Sequence, residues 1–96
     1  MYMMFYACPK LTEIDVSGFD TSNVTSMGLM FGKCPGLTSL DLSNFDTKNV
    51  EYMFQMFKES SNLTVIYVGE NWVITQAETW EMFDGCGTSS VTLKTE

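Results

Sequence analysis

The sequence of 96 residues contains no histidine and no arginine, and its twelve acidic residues outnumber five lysines, so the net charge is −7. Without histidine, the chain has no side chain that normally titrates near pH 7, no Ser-His-Asp triad and no imidazole ligand for zinc. The acidic balance disfavours binding to nucleic acid phosphates and to an anionic membrane surface. Composition therefore predicts a protein that is not an enzyme, holds no metal or cofactor and binds no nucleic acid.

Long apolar runs are also absent. No stretch approaches the roughly 20 apolar residues that a membrane-spanning helix needs, so direct membrane insertion is not expected. The first seven residues are apolar but lack a basic leader, and they are few for a secretion signal. Because the same letters recur later in the chain, we interpret them as part of the folded structure.

An internal repeat organises the chain. Residues 15–24 read DVSGFDTSNV and residues 41–50 read DLSNFDTKNV, which is nearly the same phrase displaced by 26 positions. Aligning residues 1–26 with 27–52 gives 14 identities, far above chance. A third copy keeps fewer of them, and a fourth, partial copy repeats Met82, Phe83 and Cys86 in step with Met30, Phe31 and Cys34. Such a period indicates a repeat architecture with about three and a half copies.

Each copy shows the same order of secondary-structure patterns: a strand, a turn and then a helix. In the first copy, Ile14 and Val16 alternate with Asp15, which favours a short β-strand over residues 11–16. Residues 17–23 are rich in turn formers, and then Val24, Met27 and Phe31 follow at helical spacing. Thr21, Ser22 or Asn23 can cap such a helix.

The predicted fold is therefore an α/β solenoid of the leucine-rich-repeat kind. Its 26-residue coils, each with a short parallel strand and a short helix, would stack so that identical apolar residues align in one core. We expect one repeat domain over residues 1–96, with coils 1–26, 27–52, 53–78 and a partial coil 79–96, and we interpret it as a C-terminal fragment of a longer solenoid. The aligned core residues are Leu11, Leu37, Leu63, Ile14, Leu40, Ile66, Met30, Met56, Met82, Phe31, Phe57, Phe83, Cys8, Cys34 and Cys86.

The repeated F-D-T-x-N-V turn, followed by M-F-x-x-C at a fixed 26-residue spacing, resembles the BspA-like leucine-rich repeats of bacterial surface proteins. This family is also described as a domain of unknown function in lactobacillal and mycoplasmal surface proteins. The resemblance is close over residues 1–68 and looser over 69–96. It implies a secreted or wall-attached bacterial protein that adheres to host matrix proteins or to other cells, and it assigns no catalytic residues.

The three cysteines occupy one repeat position, which Ser60 fills in the third copy. The cysteines lie next to the apolar residues of the predicted helices, and this position favours free, buried thiols. Adjacent coils would also bring Cys8 and Cys34 within bridging distance, and a secreted protein would permit a disulfide between them. Both interpretations remain open at this point.

Outward positions of the strands are the candidate binding residues, because repeat proteins commonly bind through this face. The row changes from acidic to aromatic along the stack, and tyrosine is favoured at binding hot spots. The predicted ligand-binding residues are Glu13, Asp15, Ser39, Asp41, Val65 and Tyr67. The alternative is that these six residues are solvent-exposed residues of the repeat that bind no ligand.

Two functions of different classes follow from this sequence. One is an adhesin-type module that binds host matrix or other cell-surface proteins through the strand face. The other is a structural spacer with no ligand of its own. The sequence also predicts that the open first coil, with Tyr2, Met3 and Phe5, promotes end-to-end association of the molecule.

Overall fold

A computed structural model describes residues 1–94; the last two residues of the predicted partial coil lie outside the described residues. Three strands form one parallel sheet in the order β1-β2-β3: β1 is Ser39–Leu42, β2 is Val65–Val68 and β3 is Thr92–Leu93. Ser39 pairs with Val65, at an offset of 26 residues, whereas Tyr67 pairs with Thr92 at an offset of 25. Successive copies therefore lie side by side.

The prediction of an α/β solenoid with a strand and a helix in every coil is wrong. The described residues contain no helix, and the first copy contains no strand, because residues 11–16 pair with no neighbouring strand. The alternation of Ile14 and Val16 reflects their burial rather than strand pairing, since Val16 is buried and Ile14 is half-buried.

Consecutive turns occupy the place of the predicted helix. In the second copy, the N–H groups of Met30 and Gly32 donate to carbonyls three residues back, whereas those of Leu29 and Phe31 donate to carbonyls of the next copy. Phe31, for example, donates to Met56 at 2.9 Å. The apolar side chains of this segment therefore face inward, although the segment lacks the main-chain hydrogen bonds to residue i−4 that define an α-helix.

Left-handed backbone at regular positions explains why a helix cannot form. The φ angles of Leu29 and Lys33 are 56° and 52°, and equivalent residues of the other copies have φ values between 54° and 71°. A non-glycine residue in this region costs about 1–2 kcal/mol. The repeated pairing of main-chain groups between copies offsets this cost, because buried N–H and C=O groups must find partners.

The core lies between the sheet and the turn segments. Leu40, Leu42, Ile66 and Val68 point inward from β1 and β2, and the buried methionines and phenylalanines face them from the turns. Phenylalanine rings from four copies form one stack, with centroid separations of 5.5, 6.0 and 5.6 Å along Phe5, Phe31, Phe57 and Phe83. Each copy thus completes the core of its neighbour.

The repeated F-D-T-x-N-V phrase joins one copy to the next. The buried Thr47 hydroxyl donates to the Val73 carbonyl at 2.8 Å and accepts from the Val73 N–H at 2.6 Å. Thr21 makes the equivalent pair of bonds with Asp46, at 3.1 and 2.8 Å. The Asn49 side chain donates to the Ser22 carbonyl at 2.7 Å. These residues do not cap a helix; they link main chains 25–27 residues apart.

Replacing Thr47 by valine should therefore lower the free energy of unfolding by about 1–3 kcal/mol. Valine keeps the shape but leaves the main-chain N–H and carbonyl of Val73 without the hydroxyl partner. Urea denaturation followed by circular dichroism measures the loss. The matched control is Thr12→Val, because Thr12 is exposed and its hydroxyl makes no hydrogen bond within residues 1–94. Equal stability of the two variants would contradict a structural role for the Thr47 hydroxyl.

Candidate functional site

Four of the six predicted binding residues lie together on the outer face of the sheet. Pairing of β1 with β2 sets Ser39 beside Val65 and Asp41 beside Tyr67. Ser39 and Asp41 are exposed, Val65 is half-buried, and Tyr67 is 36% exposed. Thr92 of β3 continues the row next to Tyr67. The sheet therefore presents a carboxylate, a phenol and a hydroxyl side by side.

The other two predicted residues, Glu13 and Asp15, are exposed but lie within residues 11–16, which form no strand. The Asp15 carboxylate accepts from the Ser17 hydroxyl at 2.6 Å and from the Ser17 N–H at 2.9 Å. These two hydrogen bonds lower the pKa of Asp15. Its side chain is thus held in a local turn, which the strand pattern did not predict.

Asp41 is the electrostatic centre of the sheet face. Its Oδ2 lies 2.7 Å from the Lys94 ammonium nitrogen, and its Oδ1 accepts from the Ser43 N–H at 3.0 Å. Because Lys94 follows β3 while Asp41 lies in β1, the lysine side chain spans β2. Hydrogen bonding to Lys94, and then to Ser43, lowers the pKa of Asp41 to about 2, so the carboxylate is ionised at neutral pH.

The structure places the predicted core residues in aligned rows, with the deepest burial in the middle copies. The second- and third-copy members are all fully or almost fully buried, and so is Met82. The first-copy residues Cys8, Leu11 and Ile14 are half-buried, as are Phe83 and Cys86 in the last copy. These rows form the core, with the half-buried residues packed against its two sides.

The cysteines are free thiols. The buried Cys34 thiol donates to the Phe5 carbonyl at 3.0 Å, and burial raises its pKa. A raised pKa keeps the sulfur protonated and weakly reactive at neutral pH. In the third copy, the buried Ser60 hydroxyl takes this position and donates to the Phe31 carbonyl at 2.6 Å. The shared position is therefore structural.

Sequence reasoning missed an aromatic row on the outer side of the turn segments. Tyr2, Phe54 and Trp80 occupy one repeat position, and Trp80 is 54% exposed. The Phe54 and Trp80 rings stack with centroids 5.1 Å apart and planes 8° apart. Gly28 fills this position in the second copy, and the Tyr2 and Phe54 rings meet across it at 6.1 Å. The 26-residue alignment located the row but not its exposure.

The turn segments also form a pocket of about 140 Å³, which is lined by Tyr6, Lys33 and Glu59 among others. The Lys33 ammonium lies 5.8 Å from the centre of the Tyr6 ring and 3.7 Å from a Glu59 carboxylate oxygen. The Tyr6 side chain and, after it, the charge of Glu59 raise the pKa of Lys33. Lys58 pairs in turn with Glu81 at 3.2 Å. The turn face thus combines exposed aromatic rings with paired charges.

Within residues 1–94, no group of three or more acidic, cysteine or histidine side chains is arranged to hold a metal ion. In the same part of the chain, no helix has the length and apolar character needed to cross a membrane. The candidate functional surfaces are the outer face of the sheet and the aromatic row.

Comparison with known proteins adds one finding. Neither the curated proteins nor the solved structures gave a match to this chain. A family model described as a Mycoplasma protein of unknown function, DUF285, matches residues 1–95 and so covers almost the whole sequence. The chain, built from stacked 26-residue copies, belongs to this DUF285 family of Mycoplasma proteins of unknown function.

Proposed function

We propose that this chain is a protein-binding module of a bacterial surface protein, related to the BspA-like leucine-rich repeats. It acts outside the cell, at the cell surface or in the cell wall, and adheres to host matrix or other surface proteins. The F-D-T-x-N-V and M-F-x-x-C motifs support the relationship, since they recur at the family's 26-residue spacing. The outer face of the sheet is the contact surface in this proposal.

The exposed Tyr67 side chain between Asp41 and Thr92 is the observation that carries the proposal. Tyrosine supplies a large contact area with little loss of conformational freedom on binding, and it is frequent at interface hot spots. The neighbouring carboxylate and the net charge of −7 favour a partner with a basic surface. Such a partner would compete with Lys94 for Asp41.

The alternative, a spacer without a ligand, has one observation in its favour. Two of the three acidic residues among the predicted binding residues already have internal partners, because Asp15 bonds to Ser17 and Asp41 to Lys94. A spacer requires only that the polar groups on its surface find their hydrogen-bond or ion-pair partners within the same chain. The two functions differ in whether Tyr67 contacts another protein.

A binding screen with paired tyrosine variants tests the proposal. The folded chain is passed over immobilised extracellular-matrix and plasma proteins, and binding is measured by biolayer interferometry. Tyr67→Ala should weaken saturable binding by about tenfold or more, as expected for a hot-spot side chain. Tyr52→Ala is the matched control, because this tyrosine is similarly exposed (41% against 36%) but lies outside the strands.

Circular dichroism first establishes that both variants are folded. Absence of saturable binding to every protein in the panel would favour the spacer. Equal losses for Tyr67→Ala and Tyr52→Ala would remove the sheet face as the contact surface.

A further inference from the structure

The pocket on the turn segments lies between copies rather than at an end of the stack. It is formed by side chains of the first three copies: Tyr6, Leu29, Lys33, Gln55, Lys58 and Glu59. The last copy adjoins it, because Glu81 accepts from the Gln55 amide at 2.7 Å and from the Lys58 ammonium at 3.2 Å. The chain therefore flanks the pocket on both sides.

A glycine in the second copy leaves space for this pocket. Gly32 occupies the repeat position of Tyr6 and Lys58, so the copy between them has no side chain there. The Tyr6 ring lies over this glycine, since a Cβ atom at Gly32 would be 3.1 Å from Tyr6 Cδ1. A dry cavity of about 150 Å³ holds one benzene molecule. The 140 Å³ of this pocket can therefore hold a single six-membered ring.

The polar lining combines donors and acceptors in ion pairs. The Lys33 ammonium lies 3.7 Å from a Glu59 carboxylate oxygen, which is longer than a direct hydrogen bond. A hydroxyl group both accepts and donates, so one hydroxyl between these two side chains can accept from Lys33 and donate to Glu59. The pocket thus offers a bridging position for a ligand hydroxyl.

The same lining disfavours other kinds of ligand. A charged ligand would meet a like charge whichever sign it carried, because Lys33 and Glu59 lie together. A purely apolar ring would cover these two groups without bonding to them. Tyr6 and Leu29 nevertheless supply apolar wall, which the C–H groups on the faces of a sugar ring can contact. A sugar ring combines these apolar faces with hydroxyls at its rim.

We propose that this pocket is a second binding site of the chain, which holds one pyranose ring of a neutral glycan. The ring packs against Tyr6 and Leu29, and its hydroxyls bridge Lys33 and Glu59. The site lies on the turn segments and shares no residue with the outer face of the sheet. It therefore does not depend on the proposed protein-binding function.

NMR titration with simple sugars tests the inference. The ¹⁵N-labelled chain is titrated with the methyl glycosides of glucose, galactose and mannose, and the amide shifts of Lys33, Gln55 and Lys58 report binding. With about twelve non-hydrogen atoms in a hexose, the expected dissociation constant is about millimolar. Methyl glucuronide carries a carboxylate where methyl glucoside has a hydroxymethyl group, and it should bind more weakly than the neutral sugars.

Two pairs of variants locate the site. Tyr6→Ala should weaken binding by about tenfold, whereas Tyr6→Phe keeps the ring and should retain most of the affinity. Lys33→Met should also weaken binding by about tenfold, because a hydrogen bond to a charged group is lost. Its matched control is Lys48→Met, which removes the same charge and a similar ion pair, with Asp46 at 3.5 Å, outside the pocket. This control should bind like the natural chain.

Three results would overturn the proposal. The first is the absence of amide shifts with every neutral sugar at millimolar concentration. The second is tighter binding of methyl glucuronide, because the pocket would then select an anion. The third is an equal loss for Lys33→Met and Lys48→Met, which would trace the effect to net charge rather than to contact. None of them bears on protein binding at the sheet face, since Tyr67 is not part of the pocket.

Discussion

Replacing Phe57 by alanine should lower the free energy of unfolding by about 3–5 kcal/mol, the range for a fully buried aromatic ring. Phe57 is completely buried and stacks on both sides, with Phe31 at 6.0 Å and Phe83 at 5.6 Å. Its removal leaves a cavity between two copies and takes a contact from each neighbour. Because small proteins are stable by about 5–15 kcal/mol, this loss is a large part of the total.

Urea denaturation, followed by the fluorescence of Trp72 and Trp80, measures this effect. The control is Phe5→Ala in the same row, because Phe5 is only half-buried at the end of the stack. The end variant should lose clearly less stability than the middle one. Equal losses would contradict a continuous core, since they would mean that position in the stack does not affect the contribution of a ring.

Gly36→Ala should lower the free energy of unfolding by about 2–3 kcal/mol, as overpacking of a tight contact does. A Cβ atom at Gly36 would lie 2.6 Å from the main-chain carbonyl oxygen of Leu11, in the preceding copy. A main-chain group cannot rotate away as a flexible side chain can, so the two copies must separate. The predicted loss therefore reports directly on how closely the copies approach.

Gly18→Ala is the matched control, because a Cβ atom at Gly18 would meet no heavy atom within 4 Å. Its stability should change by no more than about 0.5 kcal/mol. Thermal melts of both variants, recorded by circular dichroism, give the comparison. If Gly36→Ala were as stable as Gly18→Ala, the first and second copies would not be packed at this distance.

The candidate site was only partly predictable. The alternation of Ser39, Leu40, Asp41 and Leu42 was enough to place the polar residues outside and the leucines inside, because side chains alternate across a strand. The ion pair between Asp41 and Lys94 was not predictable, since it joins residues 53 positions apart outside the 26-residue register. The exposure of Trp80 was missed because the same spacing describes a buried row and a surface row.

The 26-residue register was determined by the sequence alone. A copy can pack on the next only if both present the same apolar residues and the same polar links, such as Thr21 and Thr47, at the same positions. The repeated F-D-T-x-N-V phrase therefore shows which residues become neighbours. Hydrogen bonds at offsets of 24–29 residues join the copies throughout the described structure.

Only the tertiary structure decided the path of the backbone between these contacts. The spacing of Val24, Met27, Met30 and Phe31 predicted a helix, but any backbone that turns these side chains inward satisfies the same pattern. With a neighbouring copy alongside, the N–H groups of Leu29 and Phe31 find carbonyls at Phe54 and Met56 instead of four residues back. Hydrogen bonding between copies thus replaced hydrogen bonding within a helix, and no local pattern in a single copy distinguishes the two.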